Sequence, residues 1–283
     1  MLEEKAIKLT TITDGRVKNE LDRLVNLFKS ESLPDTIQRA FISNGNKPSA
    51  KWSLSNKIIM LANETVDARG FNQWSQVNRY VKKGSRAMYI LAPKIIKVKE
   101  LNKETNQEEF KQVLNGFLGI PVFKYEDTDG AVLPETQPKQ LPELMQVASK
   151  IGINVDYREH NGMKAFGYYS PLAKQIVLYT HETSTFYHEL THAVQAHLEG
   201  IQKGSKDSEE YKLNEVIAEL TGAVIANLYG AKVDGQAFNY IKYYASMLEQ
   251  YGTDNDKVYR SIMKVISKIE KILNFIFEQK ESA

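Results

Sequence analysis

His188-Glu189-Leu190-Thr191-His192 and, further on, Asn214-Glu215-Val216-Ile217-Ala218-Glu219 are the two stretches that decide how this chain is read. An α-helix brings positions i and i+4 onto one face, so both imidazoles of the first stretch reach a single ion. Glu189 lies about 100° around that helix from His188, beside the ion but off the ligand face. That is where a general base belongs, able to take a proton from water that the metal polarises. Catalytic zinc usually takes three protein ligands and keeps a fourth position open. On the second stretch Glu215 and Glu219 share a helix face, so one ligates while the other accepts the outer N–H of a ligand histidine. The assignment is Zn2+ held by His188, His192 and Glu215, with Glu189 as the catalytic residue and Glu219 behind a ligand histidine. The chain has no cysteine, which excludes disulfides and thiolate ligands. Among its five histidines, His197 is turned away from the ligand face, and His160 and His181 fall in loop or hairpin contexts.

Outward from this pair, apolar spacing predicts helices over 184–198 and 214–229 carrying the ligands, a last helix over 256–277, and one over 141–151. Segments 165–169 and 175–179 read as a hairpin around Ser170-Pro171. The strand over 175–179 either packs in the core or pairs with an extended substrate. In the first half, helices are expected over 18–28 and 53–63, the second capped by the Lys51-Trp52-Ser53 lead-in. The apolar runs 87–92 and 116–123 are expected to pair as strands, with 102–109 an exposed excursion. Residues 126–142, with Asp127, Asp129, Gly130, Pro134, Pro138 and Pro142, have linker composition. The expected fold class is α+β in two domains: a basic α+β domain over 1–125, and a mainly helical, zincin-like domain with a small sheet over 143–283.

The 283 residues suit two ordinary domains or one large one. An apolar share of 42% and a charged share of 25% are those of a folding chain, which excludes collagen-like or disordered classes. No run approaches the roughly 18 apolar residues of a bilayer span, and Met1-Leu2-Glu3-Glu4-Lys5 lacks the basic-then-apolar order of a secretory signal. The expectation is a cytoplasmic protein without a membrane partner. The net charge of +2 conceals an asymmetry: residues 1–125 hold 21 Lys/Arg against 13 Asp/Glu, a net +8, and the rest is −6.

Between residues 36 and 99, twelve Lys/Arg face only Glu64 and Asp67, with Trp52, Phe71, Trp74, Tyr80 and Tyr89 interleaved. Cations with aromatics are the composition of a single-strand binder, in which Arg79, Lys82, Lys83 and Arg86 meet phosphates and rings stack on bases. The same residues also suit an ordinary core and an exposed Lys-Lys-Gly turn.

The order of motifs matters as well: Lys51-Trp52-Ser53-Leu54-Ser55-Asn56, Gly70-Phe71-Asn72-Gln73-Trp74, then Val81-Lys82-Lys83-Gly84-Ser85-Arg86-Ala87 and an apolar strand. This series resembles the N-terminal domain of ArdC-type antirestriction proteins. The resemblance implies a single-stranded-DNA-binding domain, with Lys51, Trp52, Asn56, Trp74, Arg79, Tyr80, Lys82, Lys83 and Arg86 as candidate contacts. The two ligand stretches resemble that family's zinc metallopeptidase domain. They are similar too to thermolysin-like gluzincins, in which the first glutamate of the second motif ligates zinc, and this supports Glu215 over Glu219. Those enzymes use a further downstream histidine on the oxyanion, and no histidine follows His197 here; Tyr211, Tyr240, Tyr243 and Tyr244 are candidates to replace it.

The resemblance implies an antirestriction-type protein of a mobile element or phage that binds single-stranded DNA and carries a zinc metallopeptidase-like domain with a possible protein substrate. Two alternatives stand beside it. One is a regulatory zinc protease cleaving a DNA-associated protein such as a repressor. The other is a non-catalytic DNA-binding module with structural zinc, disfavoured because structural zinc is usually closed by four protein ligands.

Overall fold

Helix α1 (Gly15–Phe28) buries Val17, Leu21, Leu24 and Phe28 along one stripe, as the 3–4 residue spacing predicts. The structure is a computed structural model and describes residues 15–42, 47–101, 108–133, 144–158, 166–201, 208–231, 246 and 255–277. α2 (Leu33–Ile42) buries Leu33, Ile37, Ala40 and Phe41, with Pro34 in its first turn, where a missing N–H costs nothing. A single 3₁₀ turn (Pro48–Lys51) leads to α3 (Leu54–Ala62), whose N-cap Ser53 accepts the Asn56 N–H at 3.4 Å.

Strands β1 (Ala68–Arg69), β3 (Met88–Leu101) and β4 (Glu108–Lys124) form a sheet in the order β1-β4-β3. The expected pairing of the two apolar runs is present, with Leu91 opposite Gly119 and Ile90 opposite Ile120. Both strands run well beyond those runs, over 14 and 17 residues, because polar positions continue the ladder. The excursion expected over 102–109 lies mostly outside the described residues; Glu108 and Glu109 belong to β4.

After the short helix α4 (Phe71–Ser75), β2 (Arg79–Val81) pairs antiparallel with β5 (Thr128–Gly130). Residues 126–130, read from composition as linker, are therefore tied to the N-terminal half; residues 134–143 lie outside the described residues. Arg79 holds this ribbon: its guanidinium donates to Thr128 Oγ1 at 2.8 Å, to the Thr128 carbonyl at 3.0 Å and to the Ala131 carbonyl, and lies 4.1 Å over the Tyr125 ring. Trp74 is fully buried and donates its indole N–H to the Phe123 carbonyl at 3.0 Å.

The second half opens with α5 (Leu144–Lys150) and a three-stranded sheet in the order β6-β8-β7. The expected hairpin is β7 (Gly167–Ser170) against β8 (Gln175–Leu178), and β6 (Asn154–Tyr157) joins β8 on its other edge in parallel. Helices α6 (Thr183–Glu199), α7 (Glu209–Leu228) and α8 (Asn255–Phe277) follow. α7 begins five residues before its expected start, capped by Ser208, whose hydroxyl accepts the Tyr211 N–H at 3.2 Å.

One buried apolar cluster runs from α1, α2 and α3 through α8 to α6 and α7. α8 supplies Ile262, Val265, Ile266, Ile269, Ile272, Leu273 and Ile276, and it packs on α1, α3, α6 and α7. Two carboxylates strengthen these joints. Glu270 of α8 accepts the Leu54 N–H at 2.7 Å, satisfying an open donor at the start of α3. Glu199, at the end of α6, takes Lys268 of α8 at 2.7 Å. No described helix is long and apolar enough to cross a membrane.

Replacing Trp74 with alanine removes a filled core position and a buried hydrogen bond, at an expected cost of about 3–5 kcal/mol. Denaturant unfolding of the Trp74→Ala variant measures it; a loss under about 1 kcal/mol contradicts the buried placement.

Candidate metal centre and basic surface

The three expected ligands converge. His188 and His192, one turn apart on α6, bring their Nε2 atoms within 3.1 Å of each other. From α7, Glu215 places Oε2 3.7 Å from His188 Nε2 and Oε1 3.5 Å from His192 Nε2. One donor atom from each residue lies within 4.8 Å of the others. Two imidazole nitrogens converging with a carboxylate beside them match the N,N,O donor set of a divalent-metal site. Behind them, Glu219 Oε1 is 3.3 Å from His188 Nδ1, although the two are not aligned for a formed hydrogen bond. A carboxylate at this position is the kind of partner that fixes the tautomer of a ligand histidine.

The approach of the two helices makes this possible. Gly222 of α7 lies against the His188 backbone, and a Cβ built there meets His188 N at 3.3 Å and His188 Cα at 3.5 Å. Any larger side chain pushes α7, and Glu215 with it, away from the imidazoles. A second tie is polar: Gln195 of α6 donates to Asn214 Oδ1 of α7 at 2.7 Å, next to Glu215 in sequence.

Electrostatics follow from the packing. Burial pushes the Glu189 carboxyl pKa up, against the pull of His188 and His192, and the Tyr169 backbone N–H holds its carboxylate. Burial also acts to raise Glu215, but His192, His188 and Tyr211 outweigh it and keep this carboxyl below the usual range. The two carboxyls are thereby shifted in opposite directions, Glu215 toward a weaker base and Glu189 toward a stronger one. For His188 burial lowers the pKa, yet Glu219, Glu189 and Glu215 more than offset it, so the net shift is upward.

These groups face a cleft of about 570 Å³ lined by Tyr168, Tyr169 and Pro171 on the sheet side, and by Glu210, Tyr211 and Asn214 of α7. Tyr211, one of the tyrosines named from sequence, hydrogen-bonds Glu215 from one turn earlier on α7; Tyr240, Tyr243 and Tyr244 lie outside the described residues. β8 is flanked by β6 and β7, so it has no open edge for an extended substrate. Among the described residues β7 is an outer strand of this sheet, and it also lines the cleft. Sequence reasoning missed this because β6, the strand covering β8, carries no apolar run, its four positions being exposed or half-buried.

The nine candidate nucleic-acid contacts divide. Lys51, Tyr80, Lys82, Lys83 and Arg86 are exposed, and Trp52 is half-buried against the core. Asn56, Trp74 and Arg79 are buried, which corrects their expected role. Asn56 exchanges hydrogen bonds with the Leu91 backbone, donating at 3.0 Å and accepting at 2.8 Å, while Trp74 and Arg79 hold the framework described above. Phe71, 58% exposed at the start of α4, is an outward-facing ring in the same region.

Fold and cleft together define an α+β protein with a candidate divalent-metal centre. Among the solved structures that share this fold are two of the antirestriction protein ArdC from plasmid R388. The metal-free one matches at TM-score 0.56 and 17% identity, over 91% of this chain and 95% of that one. The Mn(II)-bound one matches at TM-score 0.56 and 18% identity, over 92% and 96%. No protein-family model and no curated protein sequence matches the chain.

Calorimetric titration with Zn2+ and with Mn2+ tests the centre. His188→Ala and Glu215→Ala are expected to abolish tight binding, and Glu219→Ala to weaken it about 10–100-fold. Gly222→Val is expected to weaken binding without touching a ligand, together with an overpacking loss of about 1–3 kcal/mol in stability. Wild-type affinity in Gly222→Val contradicts the role given to that helix contact.

Proposed function

We propose that this chain is an antirestriction-type protein of a mobile element or phage that binds single-stranded DNA and carries a zinc metallopeptidase-like centre. The observation that carries this reading is the ArdC fold along more than nine-tenths of both chains, with His188, His192 and Glu215 meeting in a cleft that Glu189 also lines. Zinc is the proposed ion, because two imidazoles and one carboxylate are a common catalytic zinc set.

When bound, such an ion supplies Lewis acidity, polarising a carbonyl and making water a better nucleophile at neutral pH. The chain's own residues do the rest. Glu189, held by the Tyr169 N–H, accepts the proton of the attacking water and passes it to the leaving amine. The raised pKa of Glu189 suits the first step, since a carboxylate that binds a proton more readily is a stronger base toward the attacking water. Among the described residues β7 has no strand on its outer edge, which offers backbone groups to an extended peptide beside the Tyr169 N–H that holds Glu189, and Tyr168 and Tyr169 wall the cleft. These features also favour the second reading, a protease directed at a DNA-associated protein.

For DNA, support comes from the exposed cations Lys51, Lys82, Lys83 and Arg86 with the exposed Tyr80 ring. Lys82 and Lys83 occupy a turn in which Gly84 adopts φ 92°, a shape that presents both ammonium groups outward.

Binding of a labelled single-stranded oligonucleotide by the full chain is expected to fall steeply with salt. Four phosphate contacts give a log–log slope of roughly −3. Absence of salt-sensitive binding overturns the DNA reading. Glu189→Gln is expected to retain DNA affinity and to lose about 10²–10⁴-fold in cleavage of an unfolded protein substrate. If cleavage is unaffected by that change, the catalytic assignment falls. If protection of incoming DNA disappears with it, the protease reading displaces coating as the mode of action.

A further inference from the structure

The β3–β4 pair changes character along its length. At its base Met88, Leu91 and Val122 are buried, and α1 and α3 pack against it. The register then shifts between Pro93 and Ile95, opposite Gly116, which takes φ 94°. This is a bulge, which bends a ribbon and increases its twist. Beyond it, none of residues 94–99 or 110–115 is buried. The strands nevertheless stay paired as far as Leu101 opposite Glu108, an arm roughly 20 Å long.

One face of this arm is set by the alternation of strand side chains. Ile95 lies opposite Leu114, Lys97 opposite Gln112 and Lys99 opposite Phe110, so these six share a face. All six are exposed; Phe110 is 68% exposed and Ile95 50%. The Lys99 ammonium lies 5.8 Å from the Phe110 ring centre. These six positions carry two positive charges, no negative one, a ring and two aliphatic side chains, and the next pair in the same register, Leu101 opposite Glu108, adds one negative charge. An apolar surface of this kind on a two-stranded ribbon gains stability when something covers it.

We propose that this face of the β3–β4 arm is a binding surface for single-stranded DNA, with Phe110 stacking on a base and Lys97 and Lys99 meeting phosphates. The inference rests on the reading of the chain as a single-strand binder and names the surface that grips the strand. Charge complementarity selects a polyanion, and the ring with its aliphatic neighbours selects one whose planar apolar faces are open. A duplex hides those faces in its stack and a single strand presents them, and stacking on an aromatic side chain tolerates any base. The arm also accounts for basic residues downstream of the Lys82-Lys83 turn, which composition alone leaves unassigned.

The test uses the full chain, a labelled oligo-dT and a duplex of equal length. Phe110→Ala is expected to weaken oligo-dT binding about 5–100-fold. The Lys97→Gln/Lys99→Gln double variant is expected to weaken it and to make the salt slope shallower by about 1.4. Photocrosslinking of a bromodeoxyuridine-substituted strand to the unmodified protein gives a readout independent of any variant's folding, with adducts expected on 94–99 or 110–115. If the wild-type protein binds no single strand, the underlying reading of the chain fails. If it binds but both variants keep its affinity and slope, or adducts map only outside the arm, the arm assignment alone is overturned. Duplex binding as tight as single-strand binding also overturns it, because stacking on Phe110 then plays no part.

Discussion

The close contact between α6 and α7 at Gly222 is the constraint on which the candidate centre depends. His188 and His192 need only the geometry of one helix to face the same way, but the third ligand arrives from another helix. Gly222 presents no side chain to the His188 backbone, so α7 comes near enough for Glu215 to lie within 4 Å of both imidazoles. Thr191 and Thr221, each fully buried, and the apolar residues Leu190, Ala193, Ile217 and Leu220 complete a tightly filled region around these helices. In such an interior a shift of one helix cannot be absorbed locally, and the ligand geometry inherits the precision of the packing.

α8 extends that rigidity to the other half of the chain. Its apolar stripe lies among α1, α3, α6 and α7, and its charged residues reach in opposite directions: Glu270 to the first turn of α3, Lys268 to the last turn of α6. The partly buried Lys268–Glu199 pair joins a short polar chain through Gln195 to Asn214, beside the candidate ligand Glu215. The helix that bears the histidines is thus fixed from both sides, and the basic half rests on the same support.

In that basic half, cations and rings divide between framework and surface. Arg69 pairs with Asp67 at 2.7 Å in a buried site and lies over Trp74, and Arg79 closes the β2–β5 ribbon. Guanidinium suits these positions because it remains charged and satisfies several acceptors at once in a fixed plane. The lysines of the Lys82-Lys83 turn and of the β3–β4 arm stay in water. The excess positive charge of the N-terminal half is therefore displayed chiefly by lysine, whose long stem carries a mobile point charge suited to phosphate contact.

By itself the sequence determined the helices with strong apolar periodicity, the pairing of 87–92 with 116–123, and the identity of the metal-ligand candidates, because each rests on spacing within one element. His188 and His192 are four residues apart, and Glu215 and Glu219 likewise, so helical periodicity alone puts each pair on a face. Tertiary structure decided the rest. It made β7 rather than β8 an outer strand of the described sheet, brought the Tyr169 N–H to Glu189, and turned Asn56, Trp74 and Arg79 inward. Composition does not distinguish a tryptophan that stacks on a base from one that fills a core, since both need the same apolar ring. Only the partners across the fold, Phe123 for Trp74, Leu91 for Asn56 and Thr128 for Arg79, settle which way each side chain faces, and those partners lie 35 to 49 residues away along the chain.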